Sequence, residues 1–116
     1  MTADRPIIGM DDLTADVAGL AAAWAELELD LGPGYPPASE WDNLPPEQAR
    51  RVRLAILGVL ERMRAAVEER AELAARMAAD AGADYVEIGE AVGITKQGAR
   101  RRWPGLAEIT KAARRT

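Results

Sequence analysis

DYVEIGEAVGITKQGARRRWPG, residues 84–105, is the most informative part of the chain. Asp84 can cap a short helix over Tyr85–Val92, because an aspartate carboxylate accepts hydrogen bonds from the free amides at a helix start. Gly93 follows as the residue best able to adopt the left-handed backbone of a tight turn. Thr95 can then cap a second helix, which the closing Pro-Gly pair ends. The stretch therefore predicts two short helices joined by a glycine turn.

The apolar residues of this stretch indicate how the two helices pack. Two positions on each helix are expected to be buried: Ile88 and Val92 on the first, Ala99 and Trp103 on the second. Ile94 is expected to fill the angle between the helices, and Gly89 has no side chain where the two helices must come close. Two helices in this arrangement form a helix-turn-helix unit.

The second helix, predicted over Thr95–Trp103, exposes polar side chains. Three consecutive arginines cannot all face one way on a helix. Arg100 and Arg101 are best placed to enter a major groove of DNA, and Arg102 is best placed to contact a phosphate or a neighbouring carboxylate. Arg and Gln have donors and acceptors that match guanine and adenine edges. We therefore expect Gln97 and Arg100 to reach base edges, with phosphate contacts from Arg102 and, further along the chain, from Arg114.

Residues 86–103 resemble the compact helix-turn-helix of many small actinobacterial DNA-binding proteins. Those proteins are themselves similar to region 4 of sigma factors and to homeodomain-like regulators. The resemblance rests on VEIG, GITKQGA and the closing RW, and it covers about residues 70–105, so that the end of a preceding helix is the first of three. It implies that the DNA-facing positions are Thr95, Lys96, Gln97, Arg100 and Arg101. The chain departs from the pattern at Gly98, usually Ala, and at Lys96, usually Arg.

Charge is distributed unevenly along the chain. Residues 1–93 contain 8 arginines and 18 acidic residues, a net charge of −10, whereas residues 94–116 contain 7 basic residues and only Glu108, a net charge of +6. A basic segment of this kind is the electrostatic footprint of a nucleic-acid-binding surface.

The first two-thirds of the chain predicts two further helices. Apolar residues at alternating three- and four-residue steps indicate a helix over about residues 10–31: Met10, Leu13, Val17, Leu20, Trp24, Leu27 and Leu31. The Pro-rich linker 32–45 is not expected to sustain a helix, because proline lacks an amide hydrogen. Tyr35 and Trp41 are expected to pack this linker against the helices.

A long helix is predicted over 46–82, starting near Asn43 to Glu47, where Asn43 can serve as the cap. Its apolar residues form a heptad-like seam: Val52, Ile56, Val59, Met63, Ala66, Leu73 and Met77, widened by Leu57, Leu60, Val67 and Ala74. At 1.5 Å per residue the helix would be about 54 Å long. The first helix can cover only part of this seam, so the rest is expected to meet a second copy or another protein.

The composition excludes several classes of chemistry. The chain has no Cys, and no His, which removes thiolate metal sites and the commonest general base. Its one serine, Ser39, has no histidine to activate it. We predict no enzyme, no catalytic residue, no metal site and no cofactor. The longest apolar run is too short to span a bilayer and no signal peptide is recognisable, so a cytoplasmic protein without a membrane partner is expected.

Together these patterns predict an all-α chain: an N-terminal helix, a Pro-rich linker, a long central helix and a C-terminal three-helix helix-turn-helix unit. Residues 1–69 would form a dimerisation or interaction region, and residues 70–116 the region that binds double-stranded DNA. The expected function is that of a homodimeric transcriptional regulator. The alternative is an adaptor or antitoxin-like module that binds a protein partner through residues 10–77.

Overall fold

The computed structural model of the chain describes residues 9–29 and 35–115, and these residues are helical with no strand among them, as the sequence predicts. In chain order the helices are α1 (Met10–Glu28), the 3₁₀ helix η1 (Ala38–Asn43), α2 (Pro46–Asp80), α3 (Tyr85–Val92), α4 (Lys96–Arg102) and α5 (Leu106–Arg114). Contacts group the chain into an N-terminal unit, Met1–Arg64, and a C-terminal unit, Ala65–Thr116.

The N-terminal unit has a small core. It buries five residues from α1, η1 and α2: Ala21, Ala25, Trp41, Val52 and Val59. Tyr35 packs against this core, and the Trp41 indole N–H donates a hydrogen bond to the carbonyl of Pro36 (3.1 Å). Both aromatic residues therefore pack as the sequence predicts.

The predicted linker contains one element that the sequence argument excluded. Residues Ala38–Asn43 form a 3₁₀ helix between the two proline pairs. A 3₁₀ turn needs only a hydrogen bond from an amide to the carbonyl three residues earlier, and the amide of Glu40 donates to the carbonyl of Pro37 (2.9 Å). Asn43 ends this helix and does not cap α2. The carbonyl of Pro45 instead accepts the amide of Ala49 (2.8 Å) in the first turn of α2.

Helix α1 buries alanines and exposes its large apolar side chains. The predicted stripe is present and exposed on the described residues, and we call it the α1 stripe: Met10, Leu13, Val17, Leu20, Trp24 and Leu27. The helix ends at Glu28, earlier than expected, and Leu31 lies outside the described residues. Ala21 and Ala25 are fully buried because their small side chains let α1 pack closely within the unit.

The C-terminal unit has its own core. Its residues come from the end of α2, from α3, α4 and α5, and from the turn between α4 and α5. The buried members are Ala75, Ala79, Tyr85, Ile88, Ala99, Trp103 and Leu106. The last turns of α2 thus pack with α3 and α4, as expected. They do so through alanines, whereas the seam residues Leu73 and Met77 are exposed.

Two predicted core positions are wrong. Val92 is 47% exposed; it lines a shallow apolar depression whose α2 wall is made of alanines, and their side chains are too short to cover it. Ile94 is 36% exposed. The backbone carbonyl of Ile94 lies against Gly89, whereas the Ile94 side chain lies beside Gly98 at the start of α4 and stays partly exposed.

Candidate nucleic-acid interface

The start of α3 is fixed by reciprocal hydrogen bonds. The Asp84 carboxylate accepts the amide of Glu87 (2.9 Å), and the Glu87 carboxylate accepts the amide of Asp84 (3.0 Å). This capping box satisfies two amides that a helix start leaves without a partner. The hydrogen bond from the Glu87 amide, with a smaller contribution from the charge of Arg114, lowers the pKa of the Asp84 carboxyl. Asp84 therefore caps α3 as the sequence predicts.

The turn between α3 and α4 requires glycine at two positions. Gly93 has φ +78° and ψ +29°, in the left-handed region, where a side chain costs about 1–2 kcal/mol. A Cβ atom on Gly89 would lie 2.7 Å from the carbonyl oxygen of Ile94. The amide of Ile94 also donates to the carbonyl of Gly89 (2.9 Å). The direction in which α4 leaves the turn is therefore determined by backbone contact.

Helix α4 has one buried face. Ala99 is fully buried, and Trp103, at the end of the helix, is 5% exposed. At about 100° per residue, Gln97 and Arg101 lie opposite these two positions, one turn apart on the outward face. Neither Arg101 nor Lys96 forms an ion pair with another described residue. The Thr95 hydroxyl accepts the amide of Gly98 (2.9 Å), which makes Thr95 the N-cap.

The other two arginines of α4 lie at the edges of the outward face and contact aromatic rings. The guanidinium carbon of Arg100 is 5.3 Å from the centre of the Tyr85 ring. That of Arg102 is 4.6 Å from the Trp103 ring, and an Arg102 Nη2 atom is 3.5 Å from the Glu68 carboxylate. The three consecutive arginines therefore point in three directions, with Arg102 near the carboxylate that was one of its two expected partners.

Helix α5 is part of the C-terminal unit and not a loose tail. Leu106 and Thr110 are buried, and the Thr110 hydroxyl donates to the carbonyl of Ala83 (2.6 Å). Arg114 Nε donates to the carbonyl of Gly82 (2.9 Å), and its Nη2 is within 3.3 Å of both the Asp84 and Glu87 carboxylates. The guanidinium of Arg114 thus supports the cap of α3. The phosphate contact expected of it stays a prediction.

Sequence reasoning missed the role of Tyr85. Its hydroxyl donates to the carbonyl of Trp103 (2.6 Å) and accepts the amide of Leu106 (3.0 Å), and the residue is buried. Tyr85 therefore joins α3 to the turn between α4 and α5. The sequence did offer a signal, because Tyr85 is the first residue of a helix that faces the core. A tyrosine buried there needs a hydrogen-bond partner for its hydroxyl.

The described part of the C-terminal unit therefore presents a helix whose inner face is packed and whose outer face carries unpaired polar side chains. None of the helices in residues 9–29 and 35–115 combines the length and the apolar character that a membrane span requires. The same residues contain no group of three carboxylates that could ligate a metal ion. The chain matches none of the protein families, characterised proteins or solved structures with which it was compared.

Proposed function

We propose that this protein recognises DNA sequence as a homodimeric transcriptional regulator and that α4 enters the major groove. The observation that carries the proposal is the pair Gln97 and Arg101 on the outward face of α4. Both side chains are exposed and can form paired hydrogen bonds to adenine and guanine edges. The opposite face of α4 is held by Ala99 and Trp103, so the pair projects from a fixed position.

The remaining polar residues of α4 are assigned to the DNA backbone and to positioning. Arg100 was expected to read bases, but its guanidinium lies over Tyr85 at the edge of the helix, so we assign base reading to Arg101 instead. Lys96, Arg100 and Arg102 are at the flanks, where phosphates border a groove. Thr95 positions the start of α4 through its cap.

The homodimer is proposed from the α1 stripe. Six large apolar side chains at helical spacing are exposed on one described helix, of which Trp24 is 53% exposed. Contiguous apolar surface of this kind is typical of an interface. A two-fold dimer would present two copies of α4 to successive turns of DNA, about 34 Å apart or a multiple of it. Sedimentation should show a dimer at micromolar concentration, and a monomer both free and with DNA would contradict it.

The DNA-binding proposal is tested first by selecting duplexes from a random pool at physiological salt with the full chain. Affinities for the selected and a scrambled duplex are then measured by fluorescence anisotropy. Arg101→Ala should cost about 1–3 kcal/mol on the selected duplex and much less on the scrambled one, because a base contact is specific. Gln97→Ala should behave in the same way.

Arg76→Ala is the matched control, since it removes the same charge from an exposed position of α2 in the same unit. It should leave the ratio of the two affinities unchanged. Equal losses on both duplexes for Arg101→Ala would contradict base reading, and no binding at low salt would contradict DNA binding altogether.

One observation favours the alternative function. The α1 stripe belongs to a helix with five acidic residues and no basic one in its described range, so it also suits a partner protein with a basic rim. An adaptor or antitoxin-like protein would use this surface, within residues 10–77, without needing DNA. A monomeric protein that binds no duplex would favour this function over the regulator.

A further inference from the structure

A cleft in the C-terminal unit lies between the start of α3, α4 and α5. We call it the α4–α5 cleft; it has a volume of about 250 Å³. Tyr85 and Ala107 contribute apolar wall. The charged residues that line the cleft are one acidic residue, Asp84, and four basic ones: Lys96 and Arg100 from α4, and Lys111 and Arg114 from α5. Two helices that are separate in the sequence thus bring their basic side chains to one concave surface.

Three of the four basic side chains remain available to an anion. Arg114 is occupied by the carboxylates of Asp84 and Glu87. Lys96 forms no ion pair among the described residues, and Lys111 is 3.9 Å from Glu108, at the limit of an ion pair. The guanidinium carbon of Arg100 lies 5.3 Å from the centre of the Tyr85 ring, and Arg100 forms no ion pair with another described residue.

The two sides of the cleft are held in place independently of any ligand. Thr110 and Arg114 hydrogen-bond α5 to the carbonyls of Ala83 and Gly82, and Tyr85 hydrogen-bonds to both ends of the turn between α4 and α5. The basic groups therefore project from a preformed frame, which reduces the entropy cost of binding an anion.

We propose that the α4–α5 cleft binds one phosphate group of the DNA backbone, with donors from Lys96, Arg100 and Lys111. This inference rests on the proposed function. Lys96 and Arg100 lie on the flank of α4 that faces α5, next to the outward face with Gln97 and Arg101. A phosphate in the cleft would therefore border the base pairs that α4 reads and would fix the register of the helix in the groove.

The first test is Lys111→Gln in the full chain, with Arg76→Gln as the control that removes the same charge outside the cleft. The Lys111 side chain is exposed, and its one ion pair among the described residues is the 3.9 Å contact with Glu108 on the same helix, so the variant should keep the circular dichroism of the parent. Affinity should fall equally on the selected and scrambled duplexes. The slope of log K against log salt should become shallower by about one unit, because one phosphate contact is lost. Arg76→Gln should leave the slope unchanged.

Amide chemical shifts identify the source of the phosphate. A duplex should shift the resonances of Ala107, Thr110 and Lys111, whereas millimolar inorganic phosphate should not displace the duplex. If phosphate alone moves these resonances and competes with DNA, the cleft binds a free phosphorylated ligand and the backbone assignment is wrong.

The failure of this inference differs from the failure of the proposed function. If Arg101→Ala weakens DNA binding while Lys111→Gln changes neither affinity nor salt slope, the cleft proposal is overturned and the DNA-binding proposal stands. If the parent protein binds no duplex at low salt, both are overturned.

Discussion

Trp103 in the C-terminal unit is 5% exposed, whereas Trp24 in the N-terminal unit is 53% exposed. A similar contrast separates the core of the C-terminal unit from helix α1. The C-terminal unit buries Ile88, Leu106 and the ring of Tyr85 in one core, whereas α1 buries two alanines and exposes the α1 stripe.

The difference shows that a single chain buries the large side chains of the C-terminal core but leaves those of α1 exposed. In the C-terminal unit, the buried aromatic residues have their polar atoms satisfied or their rings packed, so a single copy encloses a core with large side chains, although Leu73, Met77 and Val92 stay exposed. In the N-terminal unit, the periodic apolar pattern of α1 has no counterpart among the described residues that covers it. This is the reason for placing the proposed dimer contact there.

The largest expected effect compares the two tryptophans. Trp103→Ala should destabilise the protein by about 3–5 kcal/mol, since it removes a buried aromatic side chain and leaves a cavity. Trp24→Ala should change the free energy of unfolding of dilute protein by about 1 kcal/mol or less, because about half of the residue is already in water. Urea unfolding followed by circular dichroism measures both.

If Trp24→Ala proved as destabilising as Trp103→Ala in dilute protein, the α1 stripe would be covered within a single chain, and the contrast between the units would be lost. Trp24→Ala should instead weaken self-association in sedimentation experiments. Trp103→Ala should leave self-association of the N-terminal unit intact.

The next effect compares two helical glycines. Gly89→Ala should cost about 3 kcal/mol, at the upper end for overpacking, because its Cβ would lie 2.7 Å from the Ile94 carbonyl oxygen, and backbone must move to accommodate it. Gly19→Ala in α1 meets nothing within 4 Å. It should stabilise the protein by up to about 1 kcal/mol through helix propensity.

Thermal unfolding of the two variants beside the parent checks this pair. A Gly89→Ala variant with the melting temperature of the parent would show that α4 can leave the turn at another angle. In that case the outward position of Gln97 and Arg101 would not be fixed.

The smallest effect compares the two tyrosines. Tyr85→Phe should cost about 1–2 kcal/mol, because the carbonyl of Trp103 and the amide of Leu106 lose their common partner in a buried site. Tyr35→Phe should cost less than about 0.5 kcal/mol, since its half-buried side chain forms no described hydrogen bond through the hydroxyl and its ring is retained.

Chemical denaturation at one pH, with the parent as reference, separates the two outcomes. Equal, negligible changes for both variants would mean that the hydroxyl of Tyr85 does not hold α4 and α5 together. The preformed frame of the α4–α5 cleft would then be in doubt.

The pattern of α1 shows how far periodicity carries a prediction. Its three- and four-residue steps correctly predicted a helix and one apolar stripe. They did not predict that alanines would face the core of the unit, because periodicity identifies which residues share a face but not which face meets another element. Val92 failed for a related reason: helical spacing placed it with Ile88, but the alanine wall of α2 leaves it uncovered.

The sequence by itself determined the local frame of the C-terminal unit. The caps at Asp84 and Thr95, the positive φ of Gly93 and the short helices between them depend on hydrogen bonds between residues no more than about four positions apart, so adjacent residues suffice to encode them. The tertiary structure decided where the basic side chains point. Arg100 lies over a ring 15 positions earlier in the chain, and Arg114 contacts a carbonyl 32 positions earlier. Such contacts exist only after the helices have packed, and no local pattern specifies them.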